Sequence, residues 1–242
     1  MSTNFIPANE LEELLMAAAQ DATARPRFCR TLLESELFVV VASGGDNQGA
    51  RIQTWQRDNQ TIVPVFSAPA RLQEFMKETG IEEYEQTGVG GRELLTILQT
   101  AHVILNPVSD YGKEFYPEEI QGLLDGSELK RLKVIALDES QPVLLSQPEE
   151  FPHALISALK SEFAREEGVA AGYLAQAHQT PAHRYAQLVV GIEAASDYQP
   201  TAAIRIAQEI LGEDEFISFL RLGPDSVSAY LRESTRPFYT RT

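Results

Sequence analysis

The sequence predicts an α+β protein of two α/β-type domains with mixed sheets, the C-terminal one a βαββαβ ferredoxin-like unit. Three observations carry that prediction. Segments of helical and of strand periodicity alternate along the whole chain. Asp125, Gly126, Ser127 and Glu128 have the turn chemistry of a domain boundary. The 242 residues exceed the roughly 150 of an average domain. The boundary is placed at Gly126, giving domains of residues 1–126 and 127–242.

In the first domain a helix starts at Asn9, which can cap it, with Glu12 at the capping-box position and Leu11, Leu14, Leu15 and Ala18 on one face. A second helix follows directly, with Pro26 in its first turn and Phe28, Cys29, Leu32 and Leu33 at helical spacing. Leu37, Phe38, Val39, Val40 and Val41 read as a buried strand, ended by a turn over 43–47. Residues 52–57 and 61–66 flank Asp58, Asn59 and Gln60 as a hairpin, and Pro64, lacking a ladder donor, favours an edge. A short helix from Pro69 turns Leu72, Phe75 and Met76 inward. Residues 82–86 form a strand, 93–98 a helix and 102–105 another strand. A polar and aromatic loop over 106–116 then meets a helix at Pro117, whose first turn holds Glu118 and Glu119 and which Gly126 stops.

In the second domain a strand over 133–137 precedes one over 142–146. A helix from Pro152 buries Leu155, Ile156, Leu159 and Phe163. Strands over 170–178 and 184–193 form a hairpin. A helix from Pro200 buries Ala203, Ile206, Ala207 and Ile210 and stops at Gly212, a strand spans 215–222, and a last helix lies around 227–231. That order is βαββαβ.

Charge narrows the partners. The chain carries a formal net charge of -15, with 19 acids against 9 bases up to Gly126 and 16 against 11 after it. Neither half is a basic module, so duplex nucleic acid and anionic membrane surfaces are disfavoured. The single cysteine cannot form an internal disulfide, and the start of the chain lacks the basic and apolar run of a signal peptide. A cytoplasmic protein is expected.

The usual chemical groups find no partners in the sequence. Cys29, between Arg27 and Arg30, reads as a small core residue of its helix, and residue 35 is Ser where a phosphatase loop needs Arg. Of His102, His153, His178 and His183, only His178 and His183 can approach one another, across the hairpin turn, and with no third ligand they read as exposed loop residues. The run Thr87, Gly88, Val89, Gly90, Gly91, Arg92 fails the dinucleotide fingerprint at Glu93 and reads as a turn. Ser35, Ser43 and Ser67 have no positioned base. The reading therefore names no catalytic residue, no cofactor and no metal. What remains is the 106–116 loop, in which Asn106, Asp110, Lys113, Glu114 and the aromatics Tyr111, Phe115 and Tyr116 lie between a core strand and a helix start.

Taken in order, several segments resemble the SseB, or enhanced serine sensitivity, family. They are Arg25 and Pro26 with Phe28, then Arg30 through Leu33, Glu34 and Ser35; Trp55; and Pro64, Val65, Phe66 and Ser67. They continue with Leu105, Asn106 and Pro107, and with Gly112, Lys113, Glu114, Phe115, Tyr116 and Pro117 through Ile120. In the second half they are Gly191 through Ala194 and Pro237, Phe238 and Tyr239. The resemblance implies an N-terminal and a C-terminal SseB domain in a bacterial cytosolic protein. The family name describes a growth phenotype toward serine, so no catalytic residue is carried over.

The first expectation is a non-enzymatic cytosolic binding or regulatory protein of that family, presenting Asn106, Tyr111, Lys113, Glu114, Phe115 and Tyr116 to a protein partner. Its ferredoxin-like domain would supply an interaction or dimerisation surface, which leaves a homo-oligomer open. The alternative is an amino-acid-binding sensor or enzyme in which Lys113 and Glu114, with Arg30 and Asn106, clamp a zwitterion. A further alternative is an acidic immunity-type protein that neutralises a basic partner.

Overall fold

The computed structural model describes residues 5–42, 51–57, 60–137, 143–179 and 186–241. The chain divides into two compact units, Met1–Gln20 with Arg27–Leu129, and Asp21–Pro26 with Lys130–Thr242. Helices and sheets occur in both, as the α+β class requires.

In the first unit, helix α1 (Glu10–Gln20) begins where its chemistry says it should. Asn9 Oδ1 accepts from the Glu12 N–H at 3.0 Å, and the Glu12 carboxylate reaches back to the Ala8 N–H at 2.8 Å. This is a capping box whose return arm lands one residue early. A 3₁₀ turn, Ala22–Ala24, grouped with the second unit, leads into α2 (Arg25–Glu34), which from Arg27 on belongs to the first and buries Phe28, Cys29, Leu32 and Leu33.

Strand β1 (Glu36–Ala42) lies between β2 (Arg51–Ile52) and β5 (Glu85–Gly90), both antiparallel to it. The expected hairpin is thus shared between sheets. Ile52 pairs with Val41, whereas β3 (Trp55–Arg57) pairs with β4 (Gln60–Val65), Trp55 opposite Ile62. Strand β4 is interior to the second sheet, in the order β3-β4-β6-β7, with β6 (His102–Leu105) parallel to it and β7 (Lys113–Phe115) antiparallel to β6. Pro64 is therefore not on an edge strand. It is tolerated because the β3 ladder has ended at Ile62, and the backbone on that side is next used at Phe66, which bridges to Phe38. The 43–47 turn and the tip at Asp58 and Asn59 lie outside the described residues.

Two further expectations change here. The strand expected over 82–86 starts only at Glu85 and continues through the glycine run, so Thr87, Gly88, Val89 and Gly90 are strand rather than turn, paired with Val39, Phe38, Leu37 and Glu36. Gly91, which opens α4 (Gly91–Ile97), is there for space: a Cβ on it would lie 2.0 Å from the Leu32 carbonyl oxygen. The 106–116 loop is shorter than expected, because residues 113–115 are β7. Helix α3 (Pro69–Thr79) buries Leu72, Phe75 and Met76. Helix α5 (Pro117–Asp125) stops at Gly126, whose φ of 80° is the left-handed conformation glycine accepts. Helix α6 (Ser127–Arg131) follows.

The second unit follows the βαββαβ order: β8 (Val143–Ser146), α7 (His153–Phe163), β9 (Val169–Gln179), β10 (Gln187–Ala194), α8 (Thr201–Ile210) and β11 (Phe216–Arg221). Its winding differs from a split βαβ. Parallel β10 and β11 are hydrogen-bonded directly with no strand inserted, and the sheet runs β11-β10-β9. Beyond β9, β8 and β12 (Tyr239–Thr240) share one edge, β8 at the Gln176 end and β12 at Gly172. Helices α7 and α8 cover one face through Leu155, Ile156, Leu159, Phe163, Ala203 and Ala207. Helix α9 (Ser226–Ser234) covers the other with Val227 and Leu231. The strand expected over 133–137 is reduced to one bridge, Val134 to Ile217; the Ile135 carbonyl accepts instead from the buried Gln187 and Ser218 side chains. Ile210, expected in the core, is exposed at the last position of α8.

Candidate binding surface

The connection between β6 and β7 is tight, and its first residue is a structural keystone. Asn106 has φ of 51° and is 1% exposed; Asn is one of the few side chains that tolerates that backbone. Its Oδ1 accepts from the Ser67 N–H at 3.0 Å, and its Nδ2 donates to Ser67 Oγ at 2.8 Å. Ser67 Oγ in turn donates to Glu12 Oε1 at 2.6 Å. Gly112 closes the turn, where a Cβ would lie 2.9 Å from both the Leu105 and Asn106 carbonyl oxygens.

Glu12, whose side chain is fully buried, is also gripped by Arg71 through Nε at 3.0 Å and Nη2 at 2.8 Å. Burial pushes the Glu12 carboxyl up, but the hydrogen bonds from Arg71, Ser67 and the Ala8 backbone outweigh it and hold the group below its ordinary value. Arg71 reaches the Ile6 carbonyl and lies 4.3 Å over the Phe5 ring, and Phe5 packs on Tyr111 at 5.0 Å. Asn106 and Tyr111 are thus tied into the scaffold.

Lys113 is committed as well. Its Nζ meets Glu119 at 2.8 Å, donates to the Glu114 carbonyl at 2.6 Å and sits 4.7 Å over the Phe115 ring. Because β7 is an edge strand, this lysine occupies a carbonyl that a foreign strand would use, a common way of blunting an edge. Phe115 is buried and stacks on Phe28 of α2 at 6.5 Å. Arg30 is half-buried two residues further along α2, about 200° around the helix from Phe28. It does not join Phe28 on the face toward β7.

Beside Lys113, whose side chain is 38% exposed, a second group of side chains reaches the surface. Tyr116 is 50% exposed, and its ring stacks on His102 at 4.6 Å with 15° between planes. Glu114, its side chain 40% exposed, pairs with Arg57 at 3.0 Å and accepts from the Tyr116 hydroxyl at 3.4 Å. His102 Nε2 is buried without a hydrogen bond among the described residues, 3.5 Å from Glu114 Oε2, and pairs with it only when protonated. His102 is thus a largely buried residue of β6, the strand expected over 102–105. Arg57 and His102 were missed for a physical reason: they come from β3 and β6, and only the strand order brings them to β7.

Elsewhere, Cys29 is buried in α2. His178 approaches Ser146 Oγ at 3.4 Å, and His183 lies outside the described residues. Among the described residues no group of three or more His, Cys, Asp and Glu is placed to hold a metal ion. No described helix is long and apolar enough to cross a membrane.

Comparison with known proteins gives two matches in order. Residues 11–122 match the family model described as the SseB protein N-terminal domain, and residues 137–241 the SseB protein C-terminal domain. The protein SseB of Escherichia coli K12 is 29% identical over 245 residues, covering 96% of this chain and 92% of that one. The protein SseB of Shigella flexneri matches to the same extent. No solved structure gives a significant match.

Proposed function

The chain belongs to the SseB family, and from that premise we propose a non-enzymatic binding or regulatory protein of the bacterial cytosol. Its N-terminal unit recognises a protein partner through Tyr116, Glu114 and Arg57. One observation carries this reading: Asn106 and Lys113 are engaged by neighbours of the scaffold, the Lys113 side chain at 38% exposure, whereas Glu114 meets both Tyr116 and Arg57 at the surface. Asn106 holds Ser67 and Lys113 holds Glu119, while Tyr116 stands exposed on a supporting ring beside an ion pair. A rigid aromatic with a hydroxyl tip loses little entropy on binding and anchors interfaces well. We read the serine phenotype in the family name as a downstream effect of partner capture.

The same geometry weighs against an amino-acid clamp, because Lys113 would have to leave both Glu119 and the Glu114 carbonyl to meet a ligand carboxylate. The test uses the full chain as bait in a pull-down, beside a Tyr116→Ala/Arg57→Ala variant. Both positions are exposed, so the melting temperature should stay within a few degrees while partner recovery is lost. Equal recovery by the variant would remove the reading. Serine titrated to millimolar levels should leave the melting temperature unmoved, whereas a ligand at ~100 times its Kd adds about 2.7 kcal/mol.

A further inference from the structure

We propose that the second unit carries a separate docking site, an acid-rimmed groove with exposed apolar side chains in its lining, that takes a basic peptide segment bearing a large apolar side chain. The groove has a volume of about 570 Å³ and is lined by residues 149–155 on one stretch of chain and by Ile210, Leu211, Asp214, Glu215 and Phe216 on another. Leu188 of β10 lies between them. Its rim holds the carboxylates Glu149, Glu150, Asp214 and Glu215, and the described lining contains no Lys or Arg.

Apolar surface is concentrated at the same place. Large hydrophobic side chains of this unit are exposed at Leu144 (70%), Phe151 (45%) and Ile210 (38%). Phe151 and Ile210 line the groove. Leu144 continues its sheet face, because it lies two positions along β8 from Ser146, the register partner of the lining residue Gln176. The extended wall is fixed where it matters, since the Glu149 N–H donates to Gln176 Oε1 at 2.9 Å.

Charge and shape together select the occupant. Carboxylates on both walls repel an anionic surface and draw in lysine or arginine, raising the rate of encounter and fixing orientation. They cannot desolvate Phe151 and Ile210, which needs an apolar side chain set between the walls. A polyamine answers the rim and leaves Phe151 and Ile210 wet. A peptide with cations flanking a Leu or Trp answers both.

The test titrates the isotope-labelled full chain with the peptide acetyl-Lys-Leu-Trp-Lys-Lys-amide while recording amide NMR shifts. Saturable shifts confined to 149–151, 153–155, 176, 186, 188, 210, 211 and 214–216 are expected. Affinity should fall at least about tenfold in Glu149→Lys/Glu150→Lys, where attraction becomes repulsion. It should fall likewise in Phe151→Ser, and when Leu and Trp of the peptide become Ser. All three substituted positions are exposed, so unchanged spectra away from the groove will report that the variants fold. Tyr116→Ala should bind the peptide as the parent does, which separates this site from the β7 surface. The proposal is overturned by absence of shifts at millimolar peptide, by equal binding to the charge-reversed variant, by equal binding of the acidic counterpart peptide, or by spermine reproducing the shifts at the same affinity.

Discussion

Glu12 is a carboxylate without solvent contact, and the groups that hold it come from the N-terminal segment, the end of β4 and the first turn of α3. Removing Arg71 would leave that charge buried and unpaired, which costs about 3–5 kcal/mol. Arg71→Ala should therefore lower the urea midpoint by a large fraction of the total stability. The pH dependence has a definite sign. The folded Glu12 pKa is lowered from an ordinary value of 4.5, so its stabilisation is complete above that value and is lost as pH falls through the folded one. As pH falls below 4.5 the urea midpoint should drop more steeply in the parent than in Glu12→Gln; parallel slopes would refute this. Half of the arrangement was legible in the sequence. Asn9 followed by Glu12 reads as a cap, but nothing local announces Arg71, which is 59 residues away.

At the scale of elements, the glycine run shows why the 87–90 part of β5 reads as a turn in sequence. Glycine is depleted in strands because it weakens them, yet the valine-rich β1 supplies a paired ladder that overrides the local preference. Gly91→Ala should separate α4 from the end of α2 and cost about 1–3 kcal/mol, as overpacking does. Gly90→Ala meets no atom within 4 Å and should be neutral or stabilising by up to about 1 kcal/mol. Thermal melts of the two variants side by side decide the matter. Lys113 makes a partly exposed ion pair, so Lys113→Ala should change stability by less than about 1 kcal/mol. It should raise self-association at high concentration, seen by light scattering, because the Glu114 carbonyl on the β7 edge is uncovered. The helices were the most legible elements, from Pro26, Pro69, Pro117 and Gly126 at their ends. The short strands were least so: three-residue β7 is defined by β6 beside it.

For the whole molecule, the alternation of periods was enough to give the α+β class, and the charge arithmetic pointed away from anionic partners. Winding was not legible, because βαββαβ describes an order of elements and leaves open which strands touch; β10 and β11 pair directly. The candidate surface was half legible for the same reason. Glu114 and Tyr116 are visible in one sequence segment, whereas their partners Arg57 and His102 arrive through the β3-β4-β6-β7 order. The central claim is that this surface contacts another protein. Photocrosslinking tests it most directly, with benzoylphenylalanine replacing Tyr116 in the full chain in bacterial cells and, as a control, replacing Ile97, which is 60% exposed in the same unit. A discrete adduct from position 116 is expected, absent from position 97 and lost when Arg57→Ala is added. Identical adducts from both positions, or none from position 116, would contradict it.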